Sequence, residues 1–121
     1  MSYMLLIVEP VGQRAQRTEA EGRVLYAAMQ AFGEGLAREG KLRAVESLAS
    51  QQGAARVTVA GGQARVVDGP FAEAKEMIGG FFLLQNVGRD EALTIAARCP
   101  AAAWATVEVR ALAPCFEGSV G

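Results

Sequence analysis

The chain has 121 residues, of which 51% are hydrophobic and 21% are charged, and its net charge is −1. This length and composition fit one globular domain with a core of its own and exclude a disordered chain. Acidic and basic residues are interspersed and form no basic stripe, so nucleic-acid binding is disfavoured. The longest apolar runs, at residues 4–8 and 81–84, are too short to span a bilayer, so no membrane association is predicted.

The sequence lacks the motifs of secretion, metal binding and cofactor binding. It enters a strand-like segment with no charged leader, so we expect a cytoplasmic protein with reduced thiols. Cys99 and Cys115 have no metal-binding spacing and there is no histidine, which argues against a zinc site and excludes nucleophilic triads that require histidine. No phosphate loop, nucleophile elbow or HExxH pattern is present, and we predict no cofactor.

The first third of the chain predicts a strand followed by a helix. Residues 3–8 are apolar throughout, as in a strand covered on both faces, and residues 9–12 break it. Thr18 and Glu21 form a capping box at a helix start, after which an apolar residue recurs every three or four positions. Gly40 is placed to end this helix as a left-handed cap.

The rest of the chain predicts a hairpin, three further strands and a short helix. Two alternating segments, 56–60 and 63–67, flank Gly61-Gly62, a strong signal for a two-residue hairpin turn. The other predicted elements are strands at 41–49, 80–87 and 104–112, a helix at 90–99, and a tail from residue 113 to residue 121.

The order β-α-β, hairpin, β-α-β predicts a ferredoxin-like α+β sandwich, with two helices on one face of an antiparallel sheet. We expect a single domain over residues 1–112. Both faces of the strands at 3–8 and 81–84 are apolar, so the face without helices is not polar enough to meet water. We therefore expect a homodimer in which two sheets stack face to face.

Glu46 is a candidate catalytic residue. Strict alternation in residues 41–49 places it on the same strand face as Leu42, Ala44 and Leu48. Apolar neighbours favour the protonated form of a carboxyl group, which suits a general acid or base. Pairing with an arginine, or an earlier end of the strand, would explain Glu46 without any chemistry.

The segment 68–76 is the most charged stretch between two predicted strands. Asp68-Gly69-Pro70 suits a tight turn, with Phe71 as a buried anchor, and Asp68 is also a tentative catalytic residue. Glu73, Lys75 and Glu76 fit two interpretations. They form either a solvated ion-pair cluster or the mouth of a pocket between hairpin and sheet, where Lys75 would neutralise an anionic ligand.

Residues 68–76 and 79–81, together with the opening residues 3–6, resemble DGPF-domain proteins of the YCII-related superfamily. Ala74 stands where that family more usually has threonine. The resemblance implies a ferredoxin-like fold of the dimeric α/β-barrel type and a regulatory link to extracytoplasmic-function sigma factors. Some relatives are proposed enzymes with a histidine–aspartate pair, which a chain without histidine cannot form.

Two functions are consistent with these observations. The first is binding of a small organic molecule, which can be an anion, in a cleft beside the sheet, with proton-transfer or lyase-like chemistry. Its tentative residues are Glu46 and Asp68 for catalysis and Glu73, Lys75, Glu76 and Arg110 for binding. It requires Glu46 to share a cavity with Asp68, Glu73 or Lys75. The second is a non-catalytic sensor or protein-interaction module, in which Arg110 simply pairs with Glu108.

Overall fold

Within residues 2–118, which a computed structural model describes, the chain forms six strands and two α-helices. The strands are β1 (Tyr3–Pro10), β2 (Leu42–Ser47), β3 (Ala55–Ala60), β4 (Gln63–Asp68), β5 (Glu76–Leu84) and β6 (Thr106–Ala111). The helices are α1 (Glu19–Arg38) and α2 (Arg89–Arg98). Short 3-10 turns lie at Arg14–Gln16, Gln51–Gly53 and Pro100–Ala103.

Four strands form an antiparallel sheet in the order β2-β5-β1-β6, and β3 pairs only with β4 in a separate two-stranded sheet. The two strands that flank α1 therefore enclose β5, and the two that flank α2 enclose β1. The predicted element order and the α+β class are confirmed, and the arrangement agrees with a ferredoxin-like sandwich.

The hydrophobic core lies between one face of the four-stranded sheet and the two helices. On β1 the side chains of Tyr3, Leu5 and Ile7 are buried, whereas those of the alternate residues are half-buried. The rings of Phe32 on α1 and Phe82 on β5 meet edge to face at 5.3 Å between centroids. We call the opposite face the open face, defined by the half-buried residues Met4, Leu6, Val8, Phe81 and Leu83.

The two cysteines are free thiols with different surroundings. Cys99 is buried at the end of α2, and Cys115 is exposed. Burial raises the pKa of the Cys99 thiol, because the thiolate would lose its hydration. Cys99 therefore behaves as a small apolar core residue.

Helix α1 begins and ends as predicted. The Thr18 hydroxyl accepts a hydrogen bond from the Glu21 amide at 3.1 Å, and the Glu21 carboxylate accepts one from the Thr18 amide at 2.8 Å. The second of these bonds holds the pKa of Glu21 below its usual range, because it stabilises the charged carboxylate. Gly40 adopts a φ of 73°, which confirms the left-handed end of the helix.

The hairpin of β3 and β4 has the predicted turn and register. Gly61 and Gly62 have φ values of 58° and 76°, and Val57 faces Val66 across the pair. Every residue of the two strands is exposed. The hairpin is therefore an apolar surface feature and not a part of the core.

Two β-bulges change the predicted strand boundaries and faces. Strand β5 begins at Glu76, not at residue 80, and Gly79 is the extra residue between the pairs Val8–Ile78 and Ile7–Gly80. A second irregularity between Leu42 and Ala44 turns Leu42 toward the helices but leaves Glu46 opposite Phe81. The prediction that Glu46 is buried among apolar neighbours is wrong, because Glu46 is exposed on the side of the sheet that no helix covers and Leu42 does not share its face.

The predicted tail is only partly described. Residues 113–118 form neither helix nor strand, and residues 119–121 lie outside the described part of the chain. Neither described helix has the length and apolar character that crossing a membrane requires.

Candidate functional site

A cavity of about 980 Å³ lies between α1 and the sheet, and we call it the helix–sheet cavity. The buried residues of α1 are Gly33 and Leu36, both in its second half, so the first half stands away from the sheet. The apolar wall consists of side chains from α1, three strands and the segment before β6: Ile7, Leu25, Met29, Val45, Phe82 and Trp104.

A buried ion pair forms one end of this cavity. Glu9 is only 2% exposed, and its two carboxylate oxygens accept hydrogen bonds from Arg14 Nη2 at 2.7 Å and Arg14 Nε at 3.0 Å. The 3-10 turn after β1 brings Arg14 back over Glu9. Arg14 Nη1 also donates to the Leu48 carbonyl oxygen at 2.8 Å. One guanidinium thus links β1 to the chain that follows β2.

Gly79 provides the space that the Glu9 carboxylate occupies. A Cβ atom at position 79 would overlap Glu9 Oε1 and lie 2.8 Å from Arg14 Nη2. The adjacent Gly80 is constrained by the backbone of β2, because its Cβ would lie 2.7 Å from the Glu46 carbonyl oxygen. The absence of side chains at Gly79 and Gly80 therefore allows the Glu9 carboxylate and the β2 backbone to lie close to β5.

Arg17 is an arginine of the cavity lining that forms no ion pair with the carboxylates of residues 2–118. Its guanidinium carbon lies 4.7 Å from the centroid of the Trp104 ring, within range of a cation–π interaction. Within residues 2–118 no carboxylate forms an ion pair with it, in contrast to Arg14 and Arg23. Gln13 Nε2 donates to the Trp104 carbonyl oxygen at 2.8 Å and so helps to hold the indole in place.

The residues that the sequence nominated do not converge on one cavity. Glu46 lines the edge of the helix–sheet cavity, but Asp68, Glu73 and Lys75 do not line it and are exposed. The arrangement that the catalytic hypothesis required is thus absent from the described part of the chain. Arg110 is exposed on the open-face side of β6, and its Nη1 lies 3.4 Å from the Glu108 carboxylate.

The charged turn before β5 has a structural role. Phe71 is buried, as predicted for an anchor. The backbone amide of Gly69 donates to the Ala54 carbonyl oxygen at 2.7 Å, and a Cβ at Gly69 would overlap the Gln51 carbonyl oxygen. The Gly69–Pro70 peptide bond is cis. Close packing against the 3-10 turn at Gln51–Gly53 therefore explains the glycine.

A second cavity of about 590 Å³ lies between the hairpin and the sheet, and we call it the hairpin–sheet cavity. Its lining includes Val8, Arg56, Phe71, Glu76 and Ile78. Of the nominated residues, Glu76 alone lies in this lining. No group of three or more potential metal-ligating side chains occurs among residues 2–118.

Sequence reasoning missed Glu9, Arg14 and Arg17. For Glu9 a signal existed, because it continues the alternation of Tyr3, Leu5 and Ile7 toward the core. The prediction that residues 9–12 break the strand is wrong for Glu9 and Pro10, which belong to β1. The contact of Arg17 with Trp104 joins distant parts of the sequence and has no local signal.

Comparison with known proteins identifies two similarities. A family model described as YCII-related domain matches residues 1–115. An uncharacterised protein of Rhizobium meliloti (strain 1021) is 44% identical over 57 residues, which cover 47% of this chain and 46% of that protein. The chain thus matches slightly less than half the length of this curated relative.

Proposed function

This chain belongs to the family of YCII-related domains, and we propose that it binds a small organic anion with an apolar body in the helix–sheet cavity. The observation that carries the proposal is Arg17, a guanidinium held over Trp104 at the wall of a largely apolar cavity, where it forms no ion pair with residues 2–118. A carboxylate ligand would form an ion pair with this guanidinium. The apolar body would pack against Met29 and Phe82.

The size and chemistry of the cavity support this ligand class. Its volume of about 980 Å³ is sufficient for a small molecule, and apolar walls with a few fixed polar groups are typical of such sites. Arg14 is already engaged by Glu9, so Arg17 is the better anion partner. A guanidinium that is already positioned loses little side-chain freedom on binding.

Neither Glu9 nor Glu46 is placed to transfer a proton to a ligand in this cavity. Both oxygens of Glu9 accept hydrogen bonds from Arg14. Glu46 lies at the edge of the cavity, but its pairing with Phe81 places its side chain on the open-face side of the sheet. We therefore assign Glu9 a structural role and include no acid–base step in the proposed function.

Replacing Arg17 with glutamine should weaken anion binding by roughly tenfold or more, since hydrogen bonds to charged groups contribute about 1.5–3 kcal/mol. Isothermal titration with aromatic and aliphatic monocarboxylates, each compared with its neutral amide, measures this loss. The parent protein should prefer the acid over the amide, and the Arg17→Gln variant should not.

Arg98→Gln is the matched control, because Arg98 is exposed on α2 and does not line the helix–sheet cavity. It should bind the same acids as the parent does. If no acid in a broad panel binds, or if both arginine variants lose binding equally, the proposed function is wrong.

We also propose that the protein is a homodimer formed through the open face. Met4, Leu6, Val8, Phe81 and Leu83 are half-buried, and neither α1 nor α2 packs on their side of the sheet. Stacking two such faces would remove these side chains from water in the manner of a β-sandwich. Glu108 and Arg110 at β6 place one charge of each sign beside the apolar area.

Sedimentation equilibrium should give twice the chain mass of 12.7 kDa for the parent protein. Leu6→Glu should yield monomers, because it places a charge at the centre of the stacked faces. Val24→Glu is the control, since Val24 is 68% exposed on α1 and away from the open face. A parent protein that sediments as a monomer at micromolar concentration would contradict the proposal.

The exposed hairpin favours a second candidate function, a protein-interaction module without catalysis. Val57, Val59 and Val66 are 63%, 69% and 59% exposed, which is unusual for valines on one face of a strand pair. Under this alternative the hairpin binds another protein and the helix–sheet cavity binds no ligand. The acid-binding titration separates the two candidates.

A further inference from the structure

The lining of the hairpin–sheet cavity contains one positively and one negatively charged side chain, and neither has an ion-pair partner within residues 2–118. Arg56 on β3 and Glu76 at the start of β5 both line it. Neither forms an ion pair with any residue between 2 and 118, including each other. Each is therefore available to a ligand.

Arg56 is held in a defined position. Its guanidinium carbon lies 3.8 Å above the centroid of the Phe71 ring, and Phe71 is itself buried. Stacking on the ring leaves the edge of the planar guanidinium, with its N–H donors, free to bind a carboxylate. Arg56 is thus prepared to receive the anionic end of a small molecule.

Glu76 is fixed by the backbone on both sides. It pairs with Pro10 in the sheet, and the carbonyl oxygen of the preceding Lys75 accepts a hydrogen bond from the Val11 amide at 2.9 Å. The carboxylate therefore projects from an ordered strand and not from a loose loop. It can accept hydrogen bonds from a cationic group.

Much of the surface around the two charges is apolar, although Ser50 and Gln51 also line the cavity. Val8, Met77 and Ile78 from the sheet, together with Phe71, line the cavity. The volume of about 590 Å³ exceeds what a molecule of amino-acid size requires. A ligand here needs a negative group, a separate positive group and an apolar side chain.

We infer that the hairpin–sheet cavity binds an apolar α-amino acid in its zwitterionic form. The ligand carboxylate pairs with Arg56, its ammonium pairs with Glu76, and its side chain packs against the apolar lining. This site is distinct from the helix–sheet cavity, since the two linings share no residue. Amino-acid binding here does not depend on whether the helix–sheet cavity binds an anion.

Titration of the Arg17→Gln protein with L-leucine, followed by NMR chemical shifts, tests the inference without a contribution from the helix–sheet cavity. L-leucine should bind. N-acetyl-L-leucine, which lacks the ammonium, and L-leucinamide, which lacks the carboxylate, should each bind at least about fivefold more weakly. The measurement uses the protein in its native oligomeric state, because Val8 also belongs to the open face.

Arg56→Gln and Glu76→Gln should each weaken leucine binding by roughly tenfold. Matched controls are Arg65→Gln on the same hairpin and Glu73→Gln in the same turn, both exposed and outside the cavity lining. These should change the affinity by less than about twofold. Absence of leucine binding, or equal affinities in the variants and controls, overturns the inference. Circular dichroism of each variant excludes unfolding as the cause.

Discussion

Replacing Arg14 with methionine is expected to destabilise the protein by about 3 kcal/mol, because it leaves the Glu9 carboxylate buried without its counter-ion. Glu9 is 2% exposed and loses two hydrogen bonds, while the Leu48 carbonyl oxygen loses a third. The Arg14 side chain is 33% exposed, and this partial hydration keeps the expected loss at the lower end of the range for buried pairs.

Urea unfolding followed by circular dichroism, at one fixed protein concentration, measures the free energy of unfolding. Arg110→Met is the matched control. Its pair with Glu108 is 3.4 Å long, and Arg110 is 67% exposed, so its loss should change stability by at most about 1 kcal/mol. The double replacement Glu9→Met with Arg14→Met should be more stable than Arg14→Met alone. A loss below about 1 kcal/mol for Arg14→Met would show that the ion pair is not structural.

Replacing Gly79 with alanine should cost about 3 kcal/mol, the upper end of the usual range for overpacking a well-packed interior. The added methyl group would occupy the position of Glu9 Oε1 and crowd Arg14 Nη2. Neither side chain can move aside without breaking the bidentate ion pair. The same unfolding measurement applies.

Gly35→Ala is the control for this substitution. Gly35 lies within α1, and the nearest atom to an added Cβ is the flexible end of Arg38 at 3.8 Å. Alanine there should stabilise the protein by up to about 1 kcal/mol through its higher helix propensity. Equal effects of the two substitutions would mean that the space beside Glu9 is not restricted.

Local signals in the sequence were sufficient for most of the secondary structure. The capping box at Thr18, the left-handed Gly40 and the Gly61-Gly62 turn each depend on residues a few positions apart, and all three are confirmed. The apolar strand at residues 3–8 was likewise visible, although its continuation to Glu9 was not recognised. Each of these features can be predicted without knowing which distant residues it contacts.

Features that depend on strand pairing could not be predicted in this way. The irregularity between Leu42 and Ala44 arises where β2 pairs with β5, and it turns Leu42 away from the strand face that Glu46 occupies. Gly79 lies outside the predicted strand at 80–87, whereas in the structure it belongs to β5 and makes room for Glu9. Both errors concern contacts between separate elements.

The candidate sites were predicted less well than the fold, for the same reason. Charge density in residues 68–76 indicated one site, but most of these charges meet water. The helix–sheet cavity draws its polar groups from the turn after β1, from α1 and from the segment before β6. Of the six nominated residues, Glu46 lines this cavity and Glu76 lines the other.

The hairpin of β3 and β4 has a consequence for how the family can diversify. Its residues are exposed and do not belong to the hydrophobic core. Substitutions in the hairpin at positions other than Arg56 therefore change which surfaces it can bind, with little loss of folding stability. The turn at Gly61 and Gly62 is also a suitable position for inserting a peptide. Surface specificity and cavity chemistry can therefore evolve separately in this domain.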